Sequence, residues 1–265
     1  MDTQKKPRSW SQMSQYNKCP MAYKLARVDR HWKRKAAWLY QGTALHAADE
    51  FWDRSGRTAP PEAVHAEFDR VYAEETNRAL SEVPNTDYWF KSGPYAGAID
   101  IERRHGIGHE QVDKLLAWYE KHPEEQTWIA PDGTPAIELR LEVMLGSVPV
   151  VAILDDVIQN TETGEIWPRD TKSGNRPGDV GQLMTQAAVL QVTYPDVEFS
   201  GKADFWMGKT GKPTIPKRFD DSLVDEVTAM FEELDAKILA EEFPARPEPD
   251  KCNMCDVSLN CPVWN

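Results

Sequence analysis

Residues 148–174 read V-P-V-V-A-I-L-D-D-V-I-Q-N-T-E-T-G-E-I-W-P-R-D-T-K-S-G, and this stretch decides the fold. The nearly continuous apolar run opening it predicts a strand over Val148–Ile158, a turn over Asn160–Gly164 and a second strand over Glu165–Lys172. Asp155 follows the apolar run, where a carboxylate is costly unless it is paired or binds a cation. Period two places Asp170 and Lys172 on one face of the second strand. Asp156 points the opposite way, so Asp155 is the better ligand. Two neighbouring strands thus deliver two carboxylates and a lysine to one spot. Such carboxylates repel unless a hard cation, Mg²⁺ or Mn²⁺, neutralises them, the arrangement of metal-assisted phosphodiester hydrolysis. On these three residues alone, a salt bridge at a surface strand end is the simpler reading.

Working outward, Ile137, Leu139, Leu141, Val143 and Leu145 alternate with polar neighbours and predict a half-buried strand before the pair. Glu138 and Glu142 point off its apolar stripe and read as solvated, Glu142 at most supporting the site from outside. Residues 179–194 predict a helix, Glu198–Met207 and Pro213–Phe219 a hairpin, and Leu223 to Ile238 a final helix capped by Asp220 or Asp221. Upstream, residues 9–27 predict two short helices broken at Cys19-Pro20. Residues 37–53, 60–82 and 109–121 predict longer helices, and 84–108, rich in Pro, Gly and aromatics, a loop. The whole is an α/β chain read as one domain. Residues 1–136 are mainly helical, 137–243 form the core, and 244–265 carry a cysteine-rich segment.

The 265 residues, with 40% hydrophobic and 28% charged side chains, have a globular balance. The longest apolar run is too short to span a bilayer and the N-terminus leads into no signal core, so a cytoplasmic protein without membrane contact is expected. The net charge of −12 disfavours a general nucleic-acid coat. It is uneven: residues 1–35 hold ten Lys or Arg against two acids. That segment suits a local polyanion contact through residues such as Lys18, Lys24, Arg27 and Arg30, or else is a solvated basic face. Most of the ten tryptophans read as core; Trp10, Trp32 and Trp38, interleaved with basic residues, are candidate base-stacking platforms. The cysteines follow a one-plus-three pattern, Cys19 with Cys252-x2-Cys255-x5-Cys261. Four thiols match a tetrahedral zinc or an iron–sulfur cluster; two disulfides and four unrelated thiols are the alternatives.

Several motifs together resemble the PD-(D/E)xK nuclease superfamily, and within it the RecB-like branch. Asp155 followed by Asp170-Thr171-Lys172-Ser173-Gly174 resembles the carboxylate and D-x-K-T-G pair. Gly42-Thr43-Ala44-Leu45-His46 resembles G-x-x-x-H, and Gln182-Leu183 the downstream glutamine motif. The Ser11 to Pro20 opening resembles the branch's N-terminal motif, and the one-plus-three cysteines its iron–sulfur staple, as in CRISPR-associated RecB-like exonucleases. Two positions depart from the pattern: Ala152 stands where glycine is usual, and Gln186 where tyrosine is usual.

The resemblance implies a restriction-endonuclease-like core, a mixed central sheet flanked by helices, with an iron–sulfur staple joining the termini. It implies a metal-dependent exonuclease acting on single-stranded DNA ends, 5′ to 3′. His46, Asp155, Asp170 and the Thr171 carbonyl would hold Mg²⁺ or Mn²⁺; Lys172 would position water, and Gln182 would support Lys172 or the phosphate. Gln186 would contact DNA or the lysine, and Cys19, Cys252, Cys255 and Cys261 would bind [4Fe–4S], zinc being the lesser alternative. His46 otherwise reads as an ordinary helix histidine. The rivals are a non-catalytic DNA-end-binding partner of CRISPR-adaptation or phage recombination proteins, and a zinc-stapled structural protein.

Overall fold

The computed structural model describes residues 6–264; Asp2 and Lys5, counted in the charge of the N-terminal segment, lie outside them. The helices are α1 (Trp10–Lys18), α2 (Pro20–Tyr23, running on through a wider turn to Val28), α3 (Ala37–Arg54), α4 (Pro61–Glu82), α5 (Gly97–Lys121), α6 (Val180–Thr193), α7 (Leu223–Leu239) and α8 (Pro249–Asn253). The strands are β1 (Glu125–Thr127), β2 (Ile137–Leu145), β3 (Val148–Asn160), β4 (Ile166–Lys172), β5 (Lys202–Met207), β6 (Lys212–Pro213) and β7 (Lys217–Arg218). No described helix is long and apolar enough to cross a membrane.

One mixed sheet organises these elements. The long β3 pairs antiparallel with β2, β1 and β4, and β4 pairs parallel with β5 through the α6 crossover. The short β6 and β7 add to β5 from the hairpin region. Both faces are covered, which is why the central strands read as near-continuous apolar runs. On one face Met13 of α1, Leu190 of α6 and Phe231 of α7 pack with Leu141, Val150 and Leu154. On the other, Leu45 of α3, Phe68 of α4 and Leu115 of α5 pack with Ile158, Trp167 and Trp206. Each such fully buried side chain contributes about 1.5–3 kcal/mol of transfer free energy.

One expectation is corrected. Residues 97–108, expected in a loop, form the first half of α5, a 25-residue helix. Its glycines weaken the local helix signal, but Gly108 is there for packing: a Cβ would lie 1.9 Å from Phe68 Cζ, so glycine lets α5 settle onto α4. The mainly helical stretch before residue 137 also supplies β1, which joins the core sheet at the end of β3.

A fork positions the site. Asp156 faces Arg169 as the last pair between β3 and β4. Beyond it β3 continues along β2 and β4 along β5, so Asp155 and Asp170 flank the point where the strands part. The alternation of β3 slips there. Val150, Ala152 and Leu154 share a core with Val157, whereas Ile158 belongs to the opposite one. The neighbouring Glu138 of β2 has a left-handed φ of 46°. Irregularities of this kind re-aim side chains in a sheet.

Candidate active site

Asp170 is 1% exposed, and three side chains converge on it. Lys172 forms an ion pair with its Oδ2. The Gln186 amide donates to its Oδ1 at 3.1 Å, and so does the Gln182 amide. Gln182 Oε1 in turn accepts from Lys172 Nζ at 3.0 Å, so one amide of α6 ties lysine to carboxylate. Gly178 leaves room for this lysine: a Cβ there would come within 2.8 Å of Lys172 Cε and of the Phe205 ring. Across the fork, Asp155 Oδ2 accepts from the Thr171 N–H at 2.8 Å and lies 3.3 Å from His46 Nδ1. Glu138 Oε1 lies 4.0 Å from the same nitrogen. His46 reaches the fork because α3 runs close to the end of β4; a Cβ on Gly42 would lie 3.1 Å from Ser173 Oγ.

The electrostatics are those of under-neutralised carboxylates. Burial, and then Asp170, hold the Asp155 carboxyl well above the usual carboxylate range. Burial, and then Asp155, push Glu138 up to about 7. The potential ligand atoms of His46, Glu138 and Asp155 all lie within 4.8 Å of one another. Carboxylate oxygens plus one imidazole, short of positive charge, fit a hard divalent cation. The site opens on a cleft of about 1280 Å³ past Lys172, Gln182 and Trp10, whose walls carry Lys18, Arg27, Lys33, Arg140 and Lys251 and fewer acids, Asp179, Asp250 and Asp256.

The PD-(D/E)XK nuclease superfamily model matches residues 7–262. The chain belongs to that superfamily. It is 44% identical over 264 residues to the Gene 69 protein of Mycobacterium phage D29, covering 97% of each chain. It is 41% identical over 283 residues to the Gene 69 protein of Mycobacterium phage L5, covering 97% of this chain and 96% of that one. A crystal structure of a "putative exonuclease" from Eubacterium rectale shares the fold, with a TM-score of 0.52 at 14% identity, over 98% of this chain and 89% of that one.

In this PD-(D/E)XK chain the fork brings together Asp155, Asp170, Lys172, His46 and Gln182. Thr171 joins them by its N–H; its hydroxyl donates to the buried Asp49 at 2.9 Å. Asp156 faces away, as expected, and accepts from Arg57 at 3.1 Å. Gln186, expected to contact DNA or the lysine, is 3% exposed at the wall of the cleft and donates to Asp170. Lys18 and Arg27 line the cleft, whereas Lys24 pairs with Asp29 at 2.8 Å and neither Lys24 nor the exposed Arg30 lines it. Of the tryptophans, Trp10 lines the cleft, seated on Gly181, while Trp38 packs 5.9 Å from Phe90.

Glu138 corrects the reading of that residue as simply solvated. The register sets Ile137 against Asp156 and Leu139 against Leu154, which puts Glu138 across from Asp155. Residues on one side of an antiparallel pair meet their opposite numbers, so β2 had a claim on the site once its register was known. Gln111 of α5 was not foreseen either. It donates to the Ser173 carbonyl at 2.8 Å and accepts from Gln41 at 2.6 Å, bracing the loop after Lys172 against α3.

The chain ends meet as expected. Met21 N–H donates to the Pro244 carbonyl at 3.3 Å and Arg34 N–H to the Asp256 carbonyl at 2.8 Å. The four cysteines are free and half-buried, and Cys255 and Cys261 pack against a small core of Leu25, Ala26 and Val257. Burial, and then Asp256, Cys19 and Cys261, push the Cys255 thiol up. Among the described residues, no group of three or more metal-ligand atoms mutually within 4.8 Å includes a cysteine. A closed tetrahedral zinc site, with Zn–S bonds of about 2.3 Å, needs sulfurs about 3.8 Å apart. As placed, the four sulfurs do not form that tetrahedral set.

Proposed function

We propose that the chain is a divalent-metal-dependent exonuclease acting on single-stranded DNA ends. The observation that carries this reading is the meeting of Asp155, Asp170, Lys172 and His46 at one fork beside a cleft with basic walls. Asp155, Asp170, His46 and the Thr171 carbonyl would hold Mg²⁺ or Mn²⁺, with Glu138 close enough to assist. When bound, the metal lowers the pKa of a water molecule and offsets charge developing on the phosphate. Lys172, held by Gln182 and Asp170, presents its ammonium to the attacking water or the phosphate. Lys18, Arg27, Lys33, Arg140 and Lys251 draw the strand's phosphates in, overcoming the acidic body locally. Trp10 offers a ring for a base to stack on. The 5′-to-3′ polarity is carried by resemblance to the RecB-like exonucleases.

The test uses single- and double-stranded DNA, labelled at either end, with Mg²⁺ or Mn²⁺. Release of short products from 5′ ends of single strands is expected. Products from internal cleavage alone would overturn exonuclease action, and none under any metal would overturn catalysis. His46→Ala should raise the metal concentration giving half-maximal activity by about tenfold or more, while high metal restores much of the rate. An unchanged metal titration returns His46 to an ordinary helix histidine.

The thiols of Cys19, Cys252, Cys255 and Cys261 are proposed to hold a [4Fe–4S] cluster on the same resemblance alone, with zinc as the lesser alternative. Anaerobically purified protein should be brown and contain iron, and Cys255→Ser should lose the colour and melt at lower temperature. Colourless protein with stoichiometric zinc would replace the cluster with zinc; protein without either metal would leave the chain ends joined by packing alone.

A further inference from the structure

Three of the six histidines gather where α4 meets α5, outside the site above. His105 and His109 stand one turn apart on α5, and their Nε2 atoms both lie 2.6 Å from Asp69 Oδ1 of α4. These three ligand atoms are all within 4.8 Å of one another. The cluster is built rather than incidental. The His109 ring stacks on that of His65 at 4.6 Å and 17°, and His65 is itself anchored through Nε2 to Asp113 at 2.8 Å. From beneath, the buried Phe68 meets His109 edge-on at 5.5 Å. The imidazoles thus have packed walls and converging nitrogens, while Asp69 keeps 46% of its side chain exposed.

We propose that Asp69, His105 and His109 bind a transition-metal ion of the zinc class, clamping α4 to α5. Two imidazoles from successive turns and one carboxylate form a three-ligand set that leaves a position for water. Bonds of about 2.0–2.2 Å place tetrahedral N and O ligands about 3.4 Å apart. The exposed Asp69 carboxylate need recede by less than about 1 Å to admit the ion. Nitrogen-rich ligation selects zinc, nickel or copper over magnesium, the reverse of the carboxylate-rich fork. The clamp bears on the fork through position: Gln111, which braces the loop after Lys172, lies two residues beyond His109 on the same helix.

Zinc binding to the full chain is compared with that of a His105→Ala/His109→Ala variant, by metal analysis after gel filtration, by calorimetric titration and by melting. Zinc bound elsewhere, at the thiols or the fork, cancels in this difference. The parent should bind one more zinc than the variant. At a hundredfold excess over Kd its melting temperature should rise by about 5 °C more than the variant's. Mg²⁺ should produce no such difference, and the Mg²⁺-supported activity of the zinc-free variant should equal the parent's. If the double variant misfolds, Asp69→Asn serves instead, since it keeps the shape and an acceptor oxygen but should weaken zinc binding by about tenfold or more. Equal zinc stoichiometry and equal melting shifts in parent and variants would overturn the proposal and leave Asp69 as a hydrogen-bonded clasp between helices.

Discussion

Asp155→Ala, Asp170→Ala and Lys172→Ala will each reduce DNA cleavage by about 10³-fold or more while the chain stays folded. Metal and lysine together supply several kcal/mol of charge stabilisation in the transition state, and each 1.36 kcal/mol is a factor of ten in rate. The fold should survive loss of Asp155 because its carboxylate stabilises it little. Asp155 is half-buried beside Asp170, and its carboxyl sits well above its ordinary range, so its ionised form costs stability when no metal is present. A carboxylate raised on folding adds stability below its unfolded pKa and loses it as pH rises through the folded value. For Glu138 that window runs from the ordinary 4.5 to about 7. The metal-free parent should therefore melt at progressively lower temperature across that range, and Asp155→Asn should melt higher than the parent near neutral pH. Added Mn²⁺ should raise the parent's melting temperature and leave that of Asp155→Asn nearly unchanged. Asp170→Asn, which keeps an acceptor for Gln182 and Gln186, separates loss of charge from loss of packing if Asp170→Ala proves unstable. Wild-type cleavage by a folded Asp170→Asn protein would remove the fork from catalysis.

The sequence disclosed the parts of this site that lie on strands with unbroken period or on short fixed spacings. Asp155, Asp170 and Lys172 are local to two consecutive strands, and Gln182 follows one loop later, so period and order suffice to group them. His46 depends on a contact across more than a hundred residues; only Gly42 in front of it marks a helix that must approach another backbone closely. Glu138 escaped because its role depends on the register of β2 against β3 and on a left-handed φ, neither of which alternation encodes. Gln186 reads as a contact for DNA or the lysine because it lies one turn from Gln182 on the same side of the helix. The helix instead turns both amides toward the buried Asp170. The first half of α5 was hidden by its glycines, one of which serves Phe68 on another helix, so the signal was tertiary.

Asp204→Ala will destabilise the protein by about 3–5 kcal/mol, lowering the melting temperature by about 10 °C. Two other sets of buried carboxylates lie in or against the same sheet, each with an arginine, although burial still holds Asp53 and Asp156 above the usual range. Arg57 donates to Asp53 at 2.6 Å and to Asp156 at 3.1 Å, with Tyr119 stacked 3.7 Å from its guanidinium. Arg169, 2% exposed, donates to Asp204 through Nε at 2.8 Å and Nη2 at 2.9 Å, and reaches Glu125 of β1 through Nη1 at 2.5 Å. Trp167 adds a hydrogen bond to Asp204 at 3.1 Å. This planar, bidentate pairing locks β4 to β5, where Arg169 and Asp204 are register partners. Removing Asp204 leaves the buried guanidinium with Glu125 alone, and an incompletely paired buried charge is what makes such a loss severe. Asp204→Asn, which keeps one acceptor for Arg169, should cost less than half as much. The opposite stability responses expected of Asp155→Asn and Asp204→Ala follow from one rule. A carboxylate gripped by a buried arginine in the bidentate way of Asp204 holds the sheet together, and one left without that grip at the fork, as Asp155 is, is held ready for a cation that the sheet itself does not supply. Melting curves that ranked the two variants the other way would break that division between structural and catalytic charge.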